Sequence, residues 1–124
     1  MNIPSFHDGH FDRLRIGPNE RVNLFLTTQD GKSFILILHE VDHLTLSEIK
    51  EGNTILDLVF RSPGALTRSD IAGLYSMDVD APKATDLLRA KREQGFQFLE
   101  LNASYGSQGL ALFQTCEIRQ ATSN

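Results

Sequence analysis

The strongest constraint on the fold is a hydrophobic alternation followed by a tight-turn signal. In segment 21–28, three apolar side chains recur with a period of two: Val22, Leu24 and Leu26. This period places them on one face of a β-strand. Asp30 and Gly31 come next, and this pair favours a hairpin turn because both residues tolerate positive φ. The sequence therefore predicts an antiparallel hairpin, with residues 33–38 as a return strand buried on both faces.

Similar patterns predict further strands on both sides of this hairpin. They are apolar-rich segments bounded by turn residues, at 10–16, 44–46, 54–61, 96–103 and 110–119. Most consecutive strands are joined by short turns, which allow antiparallel pairing. We therefore expect a mainly antiparallel sheet of about six or seven strands.

Segment 82–94 carries helix signals at both ends. Pro82 suits the first turn, where its missing N–H is not needed, and Asp80 is the expected cap. Gly95 is the expected left-handed residue after the last turn. We expect one well-defined helix over 82–94 that packs on the sheet, which makes the fold class α+β. A closed barrel of strands plugged by the helix is the alternative.

A shorter helix is predicted upstream of it. Thr67 and Asp70 have the spacing of a capping box, in which each side chain accepts a hydrogen bond from the other residue's backbone N–H. Ile71, Leu74 and Tyr75 follow at helical spacing. We therefore expect one or two helical turns after Thr67.

Size and composition restrict the class of protein. The 124 residues make a single domain, 1–124, and 40% of them are hydrophobic, with a net charge of −4. We expect no nucleic-acid partner, which would need a basic stripe, and no membrane, because the longest apolar run is 34–38. The N-terminus lacks a secretory signal pattern, so we expect a cytoplasmic protein with Cys116 as a small, reduced core residue.

Residues 39–43 read His-Glu-Val-Asp-His, the HExxH pattern of zinc hydrolases. On a helix, His39 and His43 would lie on one face and could bind one Zn²⁺, with Glu40 as the catalytic carboxylate. On a strand, four residues span about 13 Å and the imidazoles separate. The β-prone residues just upstream favour a strand, so a zinc-dependent hydrolase is the alternative function.

Together with Leu44, this segment resembles the metal-binding segment of peptide deformylases. The resemblance implies that His39 and His43 bind a metal and that Glu40 is the general acid/base. It covers six residues, and the family's upstream cysteine ligand has no counterpart, since Cys116 lies downstream. Three residues are candidates for a third ligand: His7, Glu51 and Asp57.

The N-terminal residues His7, Asp8 and His10 form a second polar cluster of metal-like composition. The four histidines all lie within the first 43 residues, so they could converge if this segment pairs beside residues 33–43. The alternative is a turn at the edge of the first strand, with Asp8 bonded to nearby backbone. We therefore assign no catalytic residue, cofactor or metal ligand from the sequence.

Residues 6–57 resemble a loosely defined group of small bacterial proteins, some with immunity-type roles beside polymorphic toxins. The shared features are residues 6–9, the strand at 24–26, Asp30-Gly31 with its return strand, residues 41–44 and residues 51–57. The resemblance implies a strand-rich cytoplasmic domain that binds a protein. We therefore predict a non-enzymatic protein-binding module of immunity or accessory type.

Two expectations about partners follow from charge and topology. An acidic surface would suit a partner that carries a basic groove. An exposed outer strand would allow a homodimer by edge-strand pairing.

Overall fold

The structure is a computed structural model that describes residues 3–48 and 53–121. Its strands are β1 (His10–Ile16), β2 (Val22–Thr27), β3 (Ser33–His39), β4 (His43–Ser47), β5 (Asn53–Arg61), β6 (Gln97–Ala103), β7 (Gln108–Phe113) and β8 (Thr115–Gln120). They form one antiparallel sheet in the order β4-β7-β6-β5-β1-β2-β3-β8. The helices are α1 (Arg68–Tyr75) and α2 (Pro82–Glu93), with 3₁₀ turns at Pro63–Ala65 and Ser104–Gly106.

The predicted α+β class and the mainly antiparallel sheet are confirmed, while the number of elements differs. The described residues form eight strands and two α-helices. The predicted strand 110–119 is two strands, because the chain bends at Gln114. Over residues 3–48 and 53–121, neither helix has the length and apolar character needed to cross a membrane.

The turn and cap signals are correct in most details. The capping box of α1 is present, with Thr67 N donating to Asp70 at 3.0 Å and Asp70 N donating to Thr67 at 3.1 Å. Gly95 has the expected positive φ, +79°. Asp80 is not the cap of α2, which is preceded by Ala81. The helix starts without a side-chain acceptor, and Pro82 leaves one fewer N–H to satisfy.

The hairpin predicted around Asp30-Gly31 forms between β2 and β3, but its turn is longer than predicted. β2 and β3 pair from Val22↔Leu38 to Thr27↔Ser33. Thr28 N donates to Lys32 O at 2.9 Å, and only Gly31 in this loop has positive φ. The Asp-Gly signal therefore located the turn without giving its type.

The sheet folds over into two layers that face each other. The first layer contains β1, β2, β3 and β8, and the second contains β4, β5, β6 and β7. Both β3–β4 and β7–β8 cross from one layer to the other at the same corner. Pairing continues there, since Gln114 N donates to His39 O at 3.1 Å and Asp42 N donates to Leu112 O at 2.8 Å. Strands that switch layers through a bend make corners of this kind.

The main core lies between the two layers. The buried residues of the first layer in this core are Phe11, Val22, Leu24, Leu26, Leu36 and Leu38. The second layer contributes Ile55, Leu99, Leu101, Ala111 and Phe113. The inner face of the sheet is therefore covered by the sheet itself. The predicted helix packs on the sheet as expected, but on the outer face of the second layer.

The helices cover the outer face of the second layer. A separate cluster joins Phe98, Leu110 and Leu112 of β6 and β7 to residues of the helical region: Leu66, Ile71, Leu74, Ala84 and Leu88. β7 is consequently buried on both faces. No described segment forms such an apolar cluster on the outer face of the first layer.

Candidate functional site

The HExxH segment is a strand, a corner and a second strand, not a helix. His39 is the last residue of β3, Glu40 lies in the corner with φ +53°, and His43 is the first residue of β4. His39 Nε2 lies 3.0 Å from Glu117 Oε1. The His43 ring lies against Tyr75, with the ring centres 4.4 Å apart. The two histidines therefore bind different neighbours in different layers, and the geometry of a metal-binding helix is absent.

The corner is connected to both helices by a small polar cluster. Tyr75 Oη, at the end of α1, donates to Asp42 Oδ2 at 2.8 Å. Lys91 Nζ, from α2, lies 3.1 Å from the same oxygen. Lys91 is largely buried and also lies over the Phe96 ring, 5.0 Å from its centre. The cluster holds the corner against the helical layer.

Burial and hydrogen bonding in this cluster shift two pKa values. Burial opposes ionisation of Asp42, but the hydrogen bonds from Tyr75 and Lys91 outweigh it and hold the pKa of this carboxyl below its usual value. Burial and the Asp42 carboxylate together raise the pKa of Tyr75. Tyr75 therefore stays protonated as a hydrogen-bond donor, and Asp42 stays ionised.

The third-ligand candidates do not complete a metal site at the corner. Asp57 lies on β5, where its Oδ1 accepts from Asn102 at 2.6 Å. His7 precedes β1, and Glu51 lies outside the described residues. Within residues 3–48 and 53–121, no three His, Cys, Asp or Glu side chains are grouped closely enough to hold a metal ion.

The N-terminal cluster is a turn beside β5. His7 Nδ1 donates to Leu56 O at 2.6 Å, and Asp8, with φ +62°, donates its N–H to Ile55 O. The next residue is Gly9. A larger residue does not fit there, because its Cβ would lie 2.1 Å from the carbonyl oxygen of Thr27. The bond to Leu56 and the nearby Asp8 carboxylate raise the pKa of His7.

The four histidines do not converge. His10 pairs with Thr27 at one end of β2, whereas Leu38, the neighbour of His39, pairs with Val22 at the other end. These two ends are five residue steps, or about 17 Å, apart. His7 and His10 thus lie at one end of the first layer, and His39 lies at the other.

Cys116 lies on β8, half-buried, and packs against the main core. Burial raises the pKa of its thiol. A buried thiol with a raised pKa is a poor nucleophile. This placement agrees with the predicted role of Cys116 as a small packing residue.

The outer face of the first layer carries a row of side chains across its four strands. The registers place one residue of each strand side by side: Arg13, Phe25, Ile35 and Arg119. Phe25 and Ile35 are half-buried. The guanidinium carbon of Arg13 lies 4.2 Å from the centre of the Phe25 ring. This row is an apolar pair with a cation at each end.

A second row lies next to it. Its members are Arg15, Asn23, Ile37 and Glu117. Glu117 accepts hydrogen bonds from His39 through Oε1 and from Arg119 through Oε2, and these bonds lower its pKa. We call the eight residues of the two rows the arginine-framed face. It contains three arginines and one carboxylate.

Asn23 has an unusual environment at the centre of this face. Its Oδ1 atom is buried and accepts no hydrogen bond from any residue in the described part of the chain. A buried acceptor without a partner costs about 1–3 kcal/mol. The face therefore keeps a polar atom that the fold itself does not satisfy.

Sequence reasoning missed the arginine-framed face. It took the buried set of β2 from the alternation and assigned no role to Phe25, which lies out of phase with that set. A large apolar residue at an outward position of a strand was the available signal. The neighbours of Phe25 lie on the adjacent hairpin strands β1 and β3, but Arg119 of β8 joins the row through pairing over a long sequence distance, which the pattern alone does not give.

The outer face of the second layer has a polar network beside its helices. Arg61 on β5 lies 3.4 Å from Asp70 Oδ1 of α1 and 3.2 Å from Glu100 Oε1 of β6. Asn102 continues the network by donating to Glu100 at 2.7 Å. Because Asp70 is 7% exposed, this network has a structural role in attaching α1 to the sheet.

Comparisons with known proteins do not assign this geometry to a family. No family model matches the chain, and neither a curated protein nor a solved structure matches it.

Proposed function

We propose that the protein is a cytoplasmic, non-enzymatic protein-binding module, of immunity or accessory type, that binds its partner through the arginine-framed face. One observation carries the proposal. Phe25 and Ile35 form an apolar pair between two arginines, on a sheet face where no described segment adds an apolar cluster, although Ile37 in the next row is buried. The equivalent face of the second layer is covered by two helices.

The composition of this face suits an interface. Aromatic residues and arginine are enriched where proteins bind each other, and a central apolar contact with a charged surround is the usual arrangement. Phe25 is stacked beneath Arg13, so both side chains are already ordered. Pre-ordered side chains lose less entropy on binding.

The charge of the face indicates an acidic partner surface. Both layers and both helices carry some of the 16 acidic residues, among them Asp12, Asp57, Asp70, Asp86, Glu100 and Glu117. This distribution removes the basis for the expected contact with a basic groove. Three arginines on one face instead favour an acidic patch with an apolar centre, and binding should weaken as salt concentration rises.

Site-specific photo-crosslinking tests the proposal. Ile35 is replaced by a photoreactive phenylalanine analogue in cells that naturally make the protein. Thr85, an exposed residue of α2, receives the same analogue as the matched control. We expect one discrete protein adduct from position 35 and none from position 85.

The captured protein is then purified and its affinity measured. Arg13→Glu should weaken binding at least tenfold, and Arg89→Glu on α2 should leave it unchanged. Adducts in equal yield from both positions, or from neither, would refute the proposed face.

A further inference from the structure

Beyond this proposed function, β8 has an open edge. It is the last strand of the first layer, and its six residues pair with β3 on one side only within residues 3–48 and 53–121. An unpaired edge presents backbone N–H and C=O groups that can pair with another strand. The side chains along this edge determine which strand can bind there.

The phase of the hydrogen bonds on β8 is fixed by β3. Ala121 N donates to Ser33 O at 2.8 Å. Hydrogen-bonded pairs recur at every second residue of an antiparallel ladder, so Arg119 and Glu117 also bond to β3. The backbone groups of Cys116, Ile118 and Gln120 therefore point to the open edge.

This phase restricts how β8 could pair with β8 of a second copy. In a two-fold antiparallel pair, a residue lies opposite itself at the centre. The hydrogen-bond phase leaves registers centred on a residue. Centres on Glu117 and Ile118 pair five residues of β8, whereas centres on Cys116 and Arg119 pair only three. A centre on Glu117 or on Arg119 places two like charges opposite each other, which is unfavourable.

The register centred on Ile118 is self-complementary. It places Glu117 opposite the partner's Arg119, and Arg119 opposite the partner's Glu117. Within one chain, Arg119 Nη2 already lies 3.1 Å from Glu117 Oε2. In the dimer, the partner's Arg119 binds Glu117 Oε2, while His39 remains bonded to Glu117 Oε1. The Ile118 side chains of the two copies then meet at the axis.

We propose that the protein forms a symmetric dimer by antiparallel pairing of β8 with β8 of a second copy, in the register centred on Ile118. The first layers of the two copies become one continuous sheet. The two arginine-framed faces then lie side by side on the same surface. This joining gives the dimer a face twice as long as that of the monomer.

Charge reversal tests the dimer by sedimentation velocity, at concentrations up to about 1 mM because a six-residue contact is small and weak. Glu117→Arg alone and Arg119→Glu alone each place like charges opposite each other. Each variant should raise the dissociation constant of the dimer about tenfold, because both cross-strand pairs of residues 117 and 119 then bring like charges together. An equimolar mixture of the two variants restores opposite charges and should dimerise as the wild type does.

A disulfide tests the register. Cys116 lies opposite the partner's residue 120, so Gln120→Cys should give an oxidised dimer. Residues 116 and 120 of one strand are about 13 Å apart and cannot bond to each other. The control Gln120→Cys with Cys116→Ser should give no such dimer.

Three results would overturn the proposal: a wild-type protein that stays monomeric at all concentrations, a dimer that tolerates both single charge reversals, or a mixture that does not associate. In the first case the charges of β8 act only to protect the edge from other strands.

Discussion

The two layers bury the same kind of inner face but differ in what covers their outer faces. In the second layer, Phe98 and Leu112 point outward and are fully buried by the helices. In the first layer, Phe25 and Ile35 point outward and are only half-buried, between arginines. Similar strand patterns therefore lead to a core completed by helices on one side and, within residues 3–48 and 53–121, to a face without a helical cover on the other, although Ile37 on that face is buried. The difference locates the face that we propose for a partner.

Truncation of one outward residue in each layer tests this comparison most strongly. Leu112→Ala should lower the free energy of unfolding by about 2–5 kcal/mol, because it opens a cavity beneath the helices. Ile35→Ala should cost about 1 kcal/mol or less, because its side chain is only half-buried. Urea unfolding of both variants measures the difference. Equal losses would mean that the first-layer face is covered as completely as the second.

A substitution at Asn23 tests whether its buried, unpartnered Oδ1 atom lowers the stability of the fold. Asn23→Val removes the buried acceptor without a partner and introduces a residue that favours strands. We expect the free energy of unfolding to rise by about 1 kcal/mol, while binding to the captured partner weakens. A loss of stability would contradict this account of Asn23. Asn102→Val should destabilise, since Asn102 donates to both Asp57 and Glu100.

The corner between the layers gives a pH-dependent prediction. The pKa of Asp42 is lowered in the folded state, so its contribution to stability is present above its unfolded pKa of about 3.9 and disappears as pH falls through the folded pKa. Asp42→Asn should therefore be less stable than the wild type at pH 7, and the gap should close towards pH 3.

Unfolding midpoints measured from pH 7 to pH 3 would show this convergence. Asp86→Asn is the matched control, since Asp86 has no hydrogen bond or ion pair to a described residue. A gap that stays constant over this pH range would show that the Asp42 carboxylate does not act through its charge.

The smallest expected effect concerns metal. His39 belongs to the first layer and His43 to the second, and each contacts a different neighbour. We therefore expect protein purified without a histidine tag to contain zinc well below one equivalent, and His43→Ala to leave that content unchanged. Elemental analysis by mass spectrometry measures it. One equivalent of zinc that is lost in His43→Ala would restore the hydrolase interpretation.

Local signals in the sequence predicted the elements well, for reasons that lie in short-range physics. The bounds of β1, the capping box at Thr67 and the positive φ of Gly95 all depend on neighbours within a few residues. The bend at Gln114 was missed because Leu110, Leu112, Cys116 and Ile118 keep one alternating phase, although the polar Gln114 interrupts it. Leu112 nevertheless faces the helices and Cys116 the main core.

The candidate site could not be predicted from the sequence, because it depends on how distant strands pair. Arg13 and Arg119 are separated by most of the chain, and only the pairing of four strands places them at the two ends of one row. The HExxH pattern was visible because its residues are adjacent in sequence. Adjacency on a bent strand gives no common metal site, since the side chains diverge.

The most direct test of the binding face is the affinity of the captured partner for two aspartate variants. Ile35→Asp introduces a charge at the centre of the arginine-framed face, and Thr85→Asp introduces the same charge on exposed α2. Both variants are first shown to be folded by circular dichroism. We predict that Ile35→Asp loses at least about 30-fold in affinity, as expected for a central contact, while Thr85→Asp stays within about twofold of the wild type. Equal affinities for the two variants would contradict the account.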